Sequence, residues 1–211
     1  MDEVPVAALD ARLQRQVESA RQAFERGNFD SVLDLCRTVL AASPGCLPVR
    51  KLHRAAQLKR APAARGLAKA FRRVSTAPFL LSGNLALATD PLTAIANAQK
   101  ILEADPGSVS GLRMLGGAAT ALGWRETAVF AFDALREVEP AEIATLVALG
   151  RAHLSAGRAD RAVQCAEAAL RIEALHAPAQ TLRQDASVAQ TLREGRWEEG
   201  GDFRGKVRPS P

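Results

Sequence analysis

Tyrosine is absent from this 211-residue chain, and aromatics make up 4% of it. Few aromatics and scattered β-branched residues argue against a sandwich or barrel of strands. Cysteine is also scarce: Cys36, Cys46 and Cys165 are dispersed and odd in number, with no CxxC pair. That excludes a disulfide framework and gives no zinc-ligand spacing. No apolar run approaches the roughly 20 residues that span a bilayer. The N-terminal MDEVPVAALDARLQRQ opens on acids and lacks the basic and apolar regions of a secretory signal. These absences predict a cytoplasmic protein without a transmembrane segment.

Chemistry is sparse as well. His53, His153 and His176 are the only histidines, and none stands near a Cys or an acid at ligand or triad spacing. Gly116-Gly117 lies within a helical pattern, without the strand or the Lys-Ser/Thr of a phosphate loop. The expectation is a non-enzyme with no cofactor and no metal. His153 reads as a packed, hydrogen-bonded histidine, and Cys36 and Cys165 as small buried hydrophobes.

What is present is alanine, 42 residues in all, within a 47% hydrophobic composition that excludes wholesale disorder. Small apolar residues in this proportion predict closely packed helices. Charge is unevenly placed. The net is +5, yet between Gly45 and Thr89 there is no acid and there are nine bases, leaving 19 basic and 23 acidic residues, or −4, elsewhere. In the block, Leu52, Ala55 and Ala56 form one helical stripe and Leu67, Ala70, Phe71 and Val74 another. The spacing predicts that Arg50, Lys51, Arg54, Arg65, Lys69, Arg72 and Arg73 face outward as a cationic strip. Nine like charges without compensation repel one another unless neutralised, so the strip is expected to meet an anionic partner. The one aromatic in the block, Phe71, lies on the apolar stripe and offers no stacking platform for bases.

The chain also repeats. Ser75–Ser108, Val109–Glu142 and Ile143–His176 align without a gap at a spacing of 34. Leu81, Leu115 and Leu149 fall together, as do Ser82, Gly116 and Gly150, and Ala94, Ala128 and Ala162. Pro106 matches Pro140, and Gly123 and Gly157 match Thr89. Within the middle unit Leu112, Leu115, Gly116 and Ala119 line one helical face, Gly123 interrupts it, and Ala128, Phe132 and Leu135 line the next. A lone hairpin cannot bury such a face, so neighbours must stack.

The pattern Leu112-x2-Leu115-Gly116-x2-Ala119…Ala128-x3-Phe132…Pro140 resembles the tetratricopeptide repeat, with Leu, Ala or His where that family places Trp and Tyr. The resemblance implies an all-α fold, an α-solenoid of stacked helical hairpins (a tetratricopeptide-like superhelix) with a C-terminal capping helix. The expected organisation is an arm over 1–12, a helical array over 13–194 and a disordered tail over 195–211. The array divides into 13–46, a degenerate 47–74, 75–108, 109–142 and 143–176, with the capping helix over 178–194 and its seam at Leu182, Ala186, Ala189 and Leu192. In the degenerate unit the two helices are Pro48–Lys59 and Ala63–Val74.

Such a stack implies a concave groove lined by the first helix of each unit. Arg21, Phe79, Asn84, Arg113 and Arg151 are its expected partner-binding residues, with Gly83 and Val147 beside them. The expected function is a protein-interaction scaffold or adaptor, gripping a protein or peptide with acidic residues through Arg113 and Arg151. The family's Lys/Asn clamp for a terminal carboxylate is missing, since those columns hold Val17, Arg21, Phe79 and Gly83. The alternative is a sequence-independent nucleic-acid-associated protein that uses the block over 50–73 on phosphates or another anionic surface.

Overall fold

A computed structural model describes the backbone of residues 2–60 and 67–199, with side chains for 2–60 and 77–193. The described residues form α1 (Ala11–Glu25), α2 (Phe29–Ala42), α3 (Leu47–Arg60), α4 (Leu67–Thr89) and α5 (Pro91–Ala104). They continue as α6 (Val109–Ala121), α7 (Arg125–Val138), α8 (Ile143–Ser155), α9 (Ala159–Ile172) and α10 (Ala177–Glu199). The fold is all-α, as expected, and divides into two compact units, Met1–Glu139 and Pro140–Pro211.

Three hairpin turns share one construction. Gly27, Gly123 and Gly157 adopt φ of 74°, 72° and 74°. At each, the following N–H donates back to a carbonyl five residues earlier: Asn28 to Ala23, Trp124 to Ala119 and Arg158 to His153. This is the left-handed helix stop that glycine permits cheaply. The recurrence of Gly123 and Gly157 at 34 residues therefore has a conformational cause.

Thr89 does not reproduce that turn. With no glycine available, α4 runs through Thr89, and Asp90 caps α5 by accepting from the Thr93 N–H at 3.3 Å. The shorter connection shifts the register of α4 by one residue. Gly83 is the buried position against α5 and α6, where a Cβ would collide with the Met114 thioether and press on Asn97, while the exposed Ser82 beside it accepts from Asn97 Nδ2 at 3.3 Å. Gly150 stands in the same relation to Leu182 and Cys165. Leu81, placed in the core column by the gapless alignment, is 68% exposed. The helix boundary expected at Val74–Ser75 falls inside α4, and Ala63–Gly66 lie outside the described residues.

In the first unit α1 pairs with α2 and α2 with α3, while α5 packs on both α4 and α6, which also touch each other, and α6 pairs with α7. Val17, Ala20, Val32, Cys36, Val39 and Val49 are central to the α1–α3 core. The N-terminal arm crosses this unit. The Val4 N–H donates to the Gly45 carbonyl, and the Glu3 carboxylate accepts from the Thr127 N–H and hydroxyl, both at 2.6 Å, and from the Glu126 N–H. Glu3 thus caps α7, whose own N-cap residue Trp124 supplies no side-chain acceptor.

The second unit stacks α10 on the α8–α9 hairpin. Leu146, Val147, Ala162, Ala166, Ala179, Leu182 and Ala186 are in its core. Leu182 and Ala186 hold the seam expected of the capping helix, but Leu192 is exposed and the helix continues to Glu199. Residues 200–211 lie outside the described residues, as does the greater part of the expected tail.

Candidate functional site

Helix α3 is buried on two faces of opposite chemistry. Val49, Leu52 and Ala56 pack into the α1–α2 core. Arg50, His53, Arg54 and Gln57, at i, i+3, i+4 and i+7, are buried as well, with 4–9% exposure. They meet Gln99 and Leu102 of α5, Leu112 and Leu115 of α6, and Phe130 of α7 around one cavity.

This corrects the expected cationic strip. Arg50 and Arg54 are not at the surface, because backbone carbonyls in the surrounding turns attract their guanidiniums inward. Arg50 Nη2 donates to the Pro44 carbonyl and Arg54 Nη1 to the Pro106 carbonyl, each at 2.7 Å. Lys51 is exposed as expected. Arg65, Lys69, Arg72 and Arg73 lie outside the residues whose side chains are described.

The cavity is electropositive. Burial lowers the Arg50 guanidinium to about 10 and lowers Arg54 too, against the opposing pull of Glu137. Both remain charged at neutral pH. Burial also takes His53 down to about 4, with Arg50 and Arg37 adding to the effect and Glu103 opposing it, so the imidazole is neutral. Its Nε2 lies 3.8 Å from Glu103 Oε1. Among the described residues no carboxylate forms an ion pair with Arg50 or Arg54, and Arg50 Nε, His53 Nε2 and Gln57 Nε2 have no hydrogen-bond partner. Solvent has about 20 Å³ between them, room for a water or two.

A second, wider feature runs between α2 and α5. A channel of about 330 Å³ is walled by Leu40, Ala41 and Pro44 on one side and Leu92, Ile95 and Ala96 on the other. Arg37 Nε donates to Glu103 Oε1 at 3.3 Å across it, and Lys100 stands at its edge.

The five expected groove residues have local environments. Arg21 is exposed beside Glu18 at 3.7 Å, and Asn84 is exposed on α4. Phe79 is half-buried beneath Lys100, whose Nζ lies 4.9 Å from the ring centroid. Arg113 donates to Glu139 at 2.9 Å, and Arg151 is exposed on α8 of the second unit. No hydrogen bond, ion pair or ring contact joins any two of the five among the described residues. Val147 is core, not lining. Cys36 and Cys165 are buried as expected, with the Cys36 thiol pushed up to about 12 by burial. His153 Nδ1 accepts from Arg158 Nε at 3.2 Å.

No family model matches the chain, and no curated protein matches it. Solved structures do. The crystal structure of MamA is 17% identical over 87% of this chain and 97% of that one, at a TM-score of 0.46. A tetratricopeptide repeat protein from Parabacteroides merdae is 14% identical, at a TM-score of 0.45 over 86% of this chain and 61% of its own longer one. TTC0263, a thermophilic tetratricopeptide protein of Thermus thermophilus, is 17% identical at 0.40, over 85% and 99%. Each glycine turn at 34-residue spacing closes a hairpin whose second helix buries Ala128 or Ala162 at the same column. The helical hairpins are similar to those of tetratricopeptide-repeat structures. Beside α6, whose corresponding spacing is apolar throughout, the polar face of α3 is a departure.

Sequence reasoning missed both the polar cavity and the channel. The i, i+3, i+4, i+7 spacing of Arg50, His53, Arg54 and Gln57 was the available signal for the first. Reading charge as outward-facing hid it. The channel left no signal, because α2 and α5 are distant in sequence.

Proposed function

We propose that this chain is a non-enzymatic protein-interaction scaffold that holds an apolar segment of a partner protein in the α2–α5 channel. The observation that carries the reading is the channel itself. Its 330 Å³ and its six apolar wall residues match the size and lining of ligand-binding clefts. Leu92 is 37% exposed there, an apolar side chain left in contact with solvent. Arg37, Lys100 and Glu103 supply a polar rim to orient the segment. The tetratricopeptide-type neighbours favour a scaffold in general terms. On this reading Arg21 and Arg113, with Asn84 and Phe79, offer further contacts to acidic or polar residues of the partner, and Arg151 is a separate contact point on the second unit.

The test is capture from a nuclease-treated lysate by the full chain and by a Leu92→Asp/Ala96→Asp variant of unchanged melting temperature. The expected result is a discrete protein retained by the first and lost by the second. An identical set on both overturns the channel as the site, and loss of all partners on nuclease treatment favours the nucleic-acid reading instead.

A further inference from the structure

The cavity beneath α3 contains more positive charge and more unused donors than a folded core has reason to keep. Two guanidiniums are desolvated there, and among the described residues neither forms an ion pair; the nearest carboxylates act at longer range, Glu137 on Arg54 and Glu103 on His53, so the burial of these charges is only partly offset. The Pro44 and Pro106 carbonyls satisfy one N–H of each arginine. Arg50 Nε, Gln57 Nε2 and His53 Nε2, the last 3.8 Å from Glu103 Oε1, have no hydrogen-bond partner, and all three residues line the same space. Water could fill the space but would not offset the charge.

We propose that this cavity is a binding site for a small aliphatic carboxylate anion. The charge selects an anion. The room selects its shape: about 20 Å³ admits the two oxygens of a planar carboxylate and is tight for the four of a phosphate. A guanidinium edge and a primary amide are the donors that carboxylate oxygens accept from most strongly. The opposite wall, Leu102, Leu112 and Leu115, is apolar. Of the lining residues only Gln99 and Phe130 keep partial exposure, so the ligand enters past them and its short alkyl tail rests there. A neutral His53 donates Nε2–H to the bound anion, and the anion in turn favours the imidazolium.

Acetate is the probe, titrated into the full chain at constant ionic strength, with acetamide as the uncharged isostere and inorganic phosphate as the larger anion. Melting temperature and the His53 imidazole NMR resonances are read together. The expected result is a saturable rise in melting temperature with acetate, movement of the His53 resonances and an upward move in the pH at which His53 titrates. Acetamide gives neither, and phosphate gives less. Gln57→Met removes a donor with no partner in the protein, so the fold survives while acetate binding weakens by roughly ten- to a hundredfold. Arg50→Met abolishes the response. The proposal is overturned if acetamide acts as well as acetate, if phosphate acts more strongly, if His53 does not move, or if Gln57→Met binds acetate like the parent chain.

Discussion

On α6 the positions i, i+3, i+4 and i+7 are Leu112, Leu115, Gly116 and Ala119; on α3 the positions with that spacing are Arg50, His53, Arg54 and Gln57. Both sets are buried to nearly the same degree. On α6, burial follows from removing apolar surface from water, and Gly116 lets the Phe132 ring come close. On α3, the adhesive stripe is the other one, Val49, Leu52 and Ala56, and the polar face is carried inside by the helix it belongs to. Two turn carbonyls then make that burial tolerable. Helical spacing tells which residues share a face. It does not tell how many faces of the helix are covered.

The most direct way to break this contrast is to give α6 a cation. Leu115→Arg puts a third guanidinium into the cavity that Arg50 and Arg54 already line. It should cost more than about 4 kcal/mol, enough to abolish cooperative urea unfolding at room temperature. A variant that melts normally would show that α6 tolerates what α3 does, and the difference between them would vanish.

Proton linkage at His53 sharpens the contrast next. The folded imidazole titrates at about 4, against 6.5 for the free side chain. Between those values the unfolded chain binds a proton that the native chain does not. Stability therefore falls as pH drops from about 6.5 to 4, by roughly 3 kcal/mol in total. Urea titrations across that window should show the decline in the parent chain and a flatter profile in His53→Gln.

An exposed cation gives the smallest effect. Arg113 is paired with Glu139 at the surface, so Arg113→Ala should cost under about 1 kcal/mol, less again at high salt. A larger loss, measured in the same denaturation series, would mean that this pair contributes more than exposed ion pairs ordinarily do.

Much of the architecture was legible beforehand. Gly27, Gly123 and Gly157 mark turns because only glycine enters the left-handed region cheaply. Cys36, Cys165 and the Ala128 and Ala162 columns read as core because small apolar groups recur there at helical spacing. The failures have their own causes. A missing glycine at Thr89 changed the turn and rotated α4, exposing Leu81. Glu3 gave no hint that it caps a helix more than a hundred residues away. The inward course of Arg50 and Arg54 depended on the Pro44 and Pro106 carbonyls, the second of which lies in a turn remote from α3.

Periodicity and turn chemistry are local properties, carried by each stretch of a few dozen residues, and they fixed the helices, most of their ends and the 34-residue hairpin. Which second face of α3 is covered, what gap opens between α2 and α5 and where Glu3 settles depend on segments distant along the chain. Those outcomes were decided only when the helices packed, because the desolvation of a guanidinium and the width of a channel are set by whichever surfaces arrive opposite one another.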